Sequence, residues 1–172
     1  IDGLLRAAYP ENPPKLVHRL DKDTSGLLLL ARHDRAAREM TAGFADKTIN
    51  KVYLALVIGD PGAGGRIDAP LRKGGVKGVE KMIIDYDAGQ TAVTDFLRLD
   101  KAGPVSLMAL RPVTGRTHQL RVHMLAAGTP ILGDGKYAGS AAHIGGFVRQ
   151  LHLHARFLSL ADGTLLSAPV PE

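Results

Sequence analysis

The segment Val17-His18-Arg19-Leu20-Asp21-Lys22-Asp23-Thr24-Ser25-Gly26 sets His18, Arg19 and Lys22 beside Asp21 and Asp23, directly before an apolar run. A carboxylate held at the mouth of a buried strand and flanked by cations stays ionised, as a carboxylate nucleophile must. The same residues would also make a polar turn whose Asp and Thr satisfy backbone donors. If the segment is extended, Asp21 and Asp23 lie about 7 Å apart on one face. Glycosidase acids instead face each other across the substrate from separate segments, so the pair does not read as a glycosidase site.

A second segment, Arg111-Pro112-Val113-Thr114-Gly115-Arg116-Thr117-His118-Gln119-Leu120-Arg121-Val122-His123, puts Thr117 where it can cap a helix. Free backbone N–H groups at that helix start, beside Arg116 and His118, would suit a phosphate or a carboxylate. A cationic surface turn is the alternative. His118 and Arg121, three apart, share a helical face. The histidines do not read as a metal site: His118 and His123 are five apart, a poor helical chelate, and no acid stands near His152 and His154 to complete a ligand set. The glycines at 59, 62, 64, 65, 74, 75 and 78 belong to a turn-rich excursion without the G-K-[ST] ending of a phosphate-binding loop. Tyr53, in the centre of an apolar run and in phase with Lys51 and Ala55, reads on its own as a half-buried strand aromatic.

These residues need a scaffold. Periodicity predicts strands over Gly26–Ala31, Lys51–Ile58, Thr91–Leu99 and Val105–Arg111, with a closing pair near Leu151–Leu160 and Thr164–Ser167. Asp34 is placed to cap a helix with Ala36, Met40 and Phe44 on its apolar face. The helix after Thr117 carries Leu120, Met124 and Leu125 and should stop at Gly128, with Pro130 beyond. Strands outnumber helices and several are joined only by turns. The fold class is therefore α+β, a mixed and largely antiparallel sheet with a few packed helices.

Composition narrows the chemistry. The chain has 172 residues, enough for one domain with a sizeable core. It has no cysteine, which excludes disulfide scaffolds, thiolate zinc sites, cysteine nucleophiles and the zinc centre of a base deaminase. That absence also fits a reducing, cytoplasmic compartment. The apolar runs are far too short to span a bilayer, and no membrane partner is expected. A net charge of +5 favours a polyanionic partner without proving one.

Taken together the segments resemble the RluA-type pseudouridine synthases, in the branch acting on the large ribosomal subunit. The matching blocks are His18-Arg19-Leu20-Asp21 with Thr24-Ser25-Gly26, then Lys51-Val52-Tyr53-Leu54-Ala55-Leu56-Val57. They continue with Gly115-Arg116-Thr117-His118-Gln119-Leu120-Arg121-Val122-His123, and with Gly128 through Gly133 followed by Asp134. The blocks keep the family's order over most of the chain. The resemblance implies isomerisation of specific uridines to pseudouridine in RNA, without cofactor or metal, on a flipped-out nucleotide. Large-subunit ribosomal RNA is the substrate it implies first. Transfer RNA, or a non-catalytic RNA-binding role on the same scaffold, are the alternatives.

By that resemblance Asp21 is the nucleophile, Arg121 the basic residue that pairs with it, and Tyr53 the aromatic that packs on the target base and helps remove the C5 proton. Arg19 would enter the gap left by the flipped nucleotide. Arg116, His118 and Lys22 would contact RNA, with Arg6, Lys15, Arg72, Lys73, Lys77 and Lys136 as further phosphate contacts. The family's Lys-Pro-x-Gly strand and the S4-like domain of many members are not seen before His18. Residues 1–172 are thus expected to be a single catalytic domain without them, and monomeric.

Overall fold

In the computed structural model, residues 2–75 and 81–171 are described. Lys77, one of the proposed phosphate contacts, and the end of the Gly-rich excursion lie outside the described residues. The chain opens with α1 (Asp2–Ala8), then the short strands β1 (Lys15–Leu16), β2 (Ser25–Gly26) and β3 (Leu30–Ala31). Next come α2 (Asp34–Ala45), β4 (Asn50–Ile58), β5 (Gly64–Asp68), β6 (Leu71–Gly74), β7 (Lys81–Ile84), β8 (Val93–Ala102) and β9 (Val105–Pro112). Helices α3 (Gln119–Ala126) and α4 (Gly135–Ala138), a 3-10 turn (Gly139–Ala142), β10 (Leu153–Ser159) and β11 (Leu165–Ser167) complete it.

One sheet dominates, in the order β11-β10-β4-β9-β8-β5, every neighbour along that path antiparallel. The expected α+β class holds. In β4, Tyr53, Ala55 and Val57 alternate inward with the period of a strand that buries one face. They pack with Met108 and Leu110 of β9, Leu153 and Ala155 of β10, and Leu120 and Met124 of α3. Lys51 continues the same phase beyond the reach of α3, so this face of β4 passes from dry core at Val57 to an open cleft at Lys51.

Several boundaries differ from the sequence reading. The apolar run Gly26–Ala31 is not one strand. Ser25–Gly26 joins β10 in parallel, whereas Leu30–Ala31 pairs with β1. Helix α2 begins at Asp34 and is capped instead by His33, whose Nδ1 accepts the Ala36 amide at 3.1 Å. The Gly-rich excursion holds β5, β6 and the start of the β6–β7 hairpin. Leu71 of that hairpin is buried with Ala92 and Val122 on the far side of α3.

The β2–β10 junction sets the site. Gly26 is in register with Ala155, and Ala155 on its other side with Tyr53, which pairs in turn with Leu110. One row across the sheet thus ties the Asp21 loop to the Tyr53 strand, immediately before a β-bulge in β10 between Ala155 and Phe157. Gly26 has φ +105, and a Cβ there would overlap the Ala155 carbonyl. Gly26→Ala should therefore cost more than about 1 kcal/mol, since both the backbone conformation and the close approach forbid a side chain. Urea unfolding checks this, and an unchanged midpoint would contradict it.

Candidate active site

The Asp21 loop, the end of β4, the end of α2 and the β9–α3 loop enclose a cleft of about 610 Å³, within the range that holds a small ligand. Among the described residues lining it, Asp21 is the only carboxylate, against Arg19, Lys47, Lys51, Arg111 and Arg116. The side chain of Asp21 is only 15% exposed. Its loop is closed by the Thr24 amide donating to the Asp21 carbonyl at 3.0 Å, and Ser25 Oγ lies 2.9 Å from His154 Nδ1. At the other end of the loop, His18 Nε2 accepts the Leu29 amide at 2.8 Å, and the His18 ring packs on Phe44. Lys51 also lies over the Phe44 ring, its ammonium 5.2 Å from the centroid, and burial lowers its pKa.

Tyr53 is buried beside Asp21. Burial, with the charge of Asp21 added to it, pushes its phenol up to about 12. The hydroxyl therefore keeps its proton at neutral pH.

Arg121 does not pair directly with Asp21, as the resemblance had implied. Its Nε and one terminal nitrogen donate to the two oxygens of Asp134 at 2.9 and 2.6 Å, a buried fork with the side chains 5% and 1% exposed. Burial opposes the charge of Arg121, but the bonds to Asp134 and the charges of Asp134 and Asp21 more than offset it, and its pKa is raised. Arg121 thus lies behind the cleft and reaches Asp21 through its field. Its partner differs from the expected one because α3 is buried nearly all round, and Asp134 in the turn after it is the carboxylate its fork can meet.

Thr117 is not the helix cap. That position belongs to His118, at φ 52, with no side-chain capping bond. Gln119, buried at the first position of α3, holds the β9–α3 loop instead. Its Oε1 accepts from Thr114 Oγ1 and the Arg116 amide, and its Nε2 donates to Val93 O and Thr94 Oγ1. The Gln119 side chain thus ties the β9–α3 loop to β8, and the Gln119 amide itself donates to Arg116 O at 3.2 Å. The stop near Gly128 holds, with Gly128 at φ 75.

The structure brings Asp21, Tyr53, Arg19, Arg116 and His118 to one cleft and leaves Lys22 outside its lining. Arg19 and Arg116 are exposed at its rim, and Arg116 Nε also donates to Thr91 O at 3.0 Å. Arg6, Lys15 and Arg72 are ion-paired with Asp2, Asp34 and Asp85. Sequence reasoning gave no role to Asp134, Gln119 or Tyr137. The signal for Asp134 was its place in the matching block after Gly133; Tyr137, three residues on, offered only that spacing. Among the described residues no group of three or more His, Cys, Asp or Glu could hold a metal ion.

Three histidines in or behind the site are held below their ordinary value. His18 falls from 6.5 to about 4 through burial and the nearby Lys51; burial also lowers His118 and His123. His123 is satisfied as a neutral ring, with Nδ1 2.9 Å from Thr94 Oγ1 and Nε2 3.0 Å from Ala69 O. A lowered histidine pKa means that the unfolded chain takes up protons first as pH falls below 6.5. Stability is therefore full above that value and lost progressively down to about 4. The ion-paired Asp60, Asp85 and Asp95, with pKa values of about 2, lose their contribution only under stronger acid. Urea midpoints at pH 7 and pH 5 should show the decline; a midpoint that rises toward pH 5 would refute this assignment.

A family model described as RNA pseudouridylate synthase matches residues 4–126. An uncharacterized RNA pseudouridine synthase of Chloroflexus aurantiacus is 40% identical over 162 residues, covering 91% of this chain and 50% of that protein. The ribosomal large subunit pseudouridine synthase D of Pseudomonas aeruginosa is 36% identical over 173 residues, covering 91% of this chain and 53% of that protein. This chain thus spans about half the length of these curated relatives. Among solved structures, human RNA pseudouridylate synthase domain containing 1 superposes with a TM-score of 0.79 at 31% identity, over 98% of this chain and 72% of that one. The cleft with its lone carboxylate, the Tyr53 floor and the match over most of the sequence agree: the chain belongs to the RNA pseudouridylate synthase family.

Proposed function

We propose that this chain isomerises uridine to pseudouridine in RNA, with Asp21 as nucleophile, and that its substrate is large-subunit ribosomal RNA. The observation that carries the reading is the solitary Asp21 carboxylate beside Tyr53, in a nucleotide-sized cleft otherwise rimmed by cations. The names of several relatives as ribosomal large subunit pseudouridine synthases support the substrate class.

The chemistry is an internal exchange. The bond from ribose C1′ to uracil N1 breaks, C5 bonds to C1′, the C5 proton leaves to solvent and N1 gains one. Asp21 either attacks C1′ and is displaced as C5 bonds there, or adds to the uracil ring and is eliminated as the C5 proton leaves and the ring double bond re-forms. A nucleotide inside a stacked helix cannot reach such a floor, so the target is flipped out at a cost of a few kcal/mol. Contacts of Arg19, Arg116 and Lys22 with the flanking strand offset that cost, and Arg19 fills the vacated position. His118, on the cleft wall beside Asp21, meets the flipped nucleotide rather than the outer phosphates. Tyr53 packs on the base. Arg121 holds positive charge beneath Asp21 while Asp134 satisfies its donors.

The chain acts as one catalytic unit, as a monomer and in the cytoplasm. No helix among the described residues is long and apolar enough to cross a membrane. Tritium release from RNA labelled at uracil C5 tests the reading, with ribosomal and transfer RNA transcripts side by side. Release from ribosomal RNA is the expected result. Release only from transfer RNA would overturn the substrate class, and binding without release from either would overturn the synthase.

A further inference from the structure

Tyr137 stands at the end of a chain of polar contacts that leads to Asp21. Its hydroxyl oxygen accepts the Met82 amide at 3.1 Å and lies 2.7 Å from His118 Nδ1. An amide N–H can only donate, so the Met82 contact leaves the single phenol proton free to be given to Nδ1. Nδ1 is then an acceptor, and in the neutral ring the proton sits on Nε2. That nitrogen is 3.9 Å from Asp21 Oδ1, with both side chains 15% exposed. The opposite tautomer would leave the phenol proton without this acceptor and turn the Nε2 lone pair on a carboxylate. Both edges of the ring therefore select the same form.

The surroundings hold that form. Burial and the charges of Arg121, Lys136 and Arg19 keep His118 below its ordinary value against the pull of Asp21. The His118 backbone sits at φ 52, a left-handed conformation uncommon for a residue with a side chain. Tyr137 is fixed in turn, its amide donating to Asp134 Oδ1 at 3.3 Å and its ring lying 5.1 Å beneath the Arg121 guanidinium.

We propose that Tyr137 is a positioning residue: through His118 it fixes an Nε2–H that faces Asp21 and aims the carboxylate at the target nucleotide. The role in turnover rests on the synthase reading above. The 3.9 Å gap is longer than a hydrogen bond and closes when substrate fills the cleft. Because the phenol also takes the Met82 amide, the β6–β7 hairpin helps to set the geometry at the nucleophile.

Tyr137→Phe tests this, keeping the ring over Arg121 and removing only the hydroxyl. The expected result is a fall of about tenfold in kcat for tritium release with KM unchanged, the scale usual for the outer partner of a functional histidine. Nitrogen NMR of the RNA-free protein should show His118 with a bare Nδ1 and a protonated Nε2, and a mixture of tautomers in the variant. In a His118→Asn background, where Asn tolerates the left-handed backbone, Tyr137→Phe should cost nothing further. A protonated Nδ1 in the parent protein, or losses that multiply across the two sites, would overturn the proposal. If the parent protein releases no tritium at all, the synthase reading fails, while the NMR result still decides the tautomer.

Discussion

Asp21→Asn should lower tritium release by at least about a thousandfold, equivalent to about 4 kcal/mol of barrier, and leave RNA binding within about twofold. The substitution preserves shape and removes the one carboxylate of a cleft lined by cations. Folding should be little affected, because the loop is closed by the Asp21 carbonyl and by Ser25 and His18. The loss is then chemical. Removing negative charge near Arg19 and Arg116 should, if anything, favour the phosphate backbone. Release near the parent rate, with RNA bound normally, would remove Asp21 from the nucleophile's place.

Arg121→Ala should cost about 3–5 kcal/mol of stability, because it strands the buried Asp134 carboxylate without its fork. Activity would fall for that reason alone, so the single variant cannot separate support from catalysis. The pair Arg121→Met with Asp134→Leu can. Replacing both partners by apolar groups of similar bulk should recover most of the stability, as buried ion pairs often permit. Turnover should stay low, since the positive charge beneath Asp21 is gone. Recovery of turnover along with stability would show that Arg121 only holds α3 to the turn after it. Urea midpoints and tritium release on the same preparations distinguish the two.

The short apolar runs Lys51–Ile58, rich in Val, Ile and Tyr, and Val105–Arg111 were enough to place β4 and β9, because such side chains suit a pleated, half-buried surface. The blocks around Asp21 and Tyr53 were legible as the walls of one site for a different reason, their match to a family. What local pattern could not supply was the choice between equivalent partners. Asp34 is a good cap by type, but the His33 ring reaches the Ala36 amide and takes that position. Thr117 is a good cap by type, but the buried Gln119 hub pulls the turn into a geometry in which His118 occupies that position. The Gly-rich excursion read as turns since its strands are short and its glycines sit inside them. Leu71 becomes a core residue only when α3 is in place beside it. Arg121 could choose between Asp21 and Asp134, and only the packing of α3 against the following turn decides for Asp134.

The row from Gly26 through Ala155 to Tyr53 has a consequence in time. Ser25 and His154, which meet in the row beside it, are 129 residues apart, and among the described residues β2 pairs with no strand but β10. During synthesis the Asp21 segment emerges before Tyr53, yet neither can be set against the other through this row until β10 has followed. The nucleophile is set in place only once β10, more than a hundred residues further along, has been made. A nascent or shortened chain can carry every residue of the reaction and still present no site.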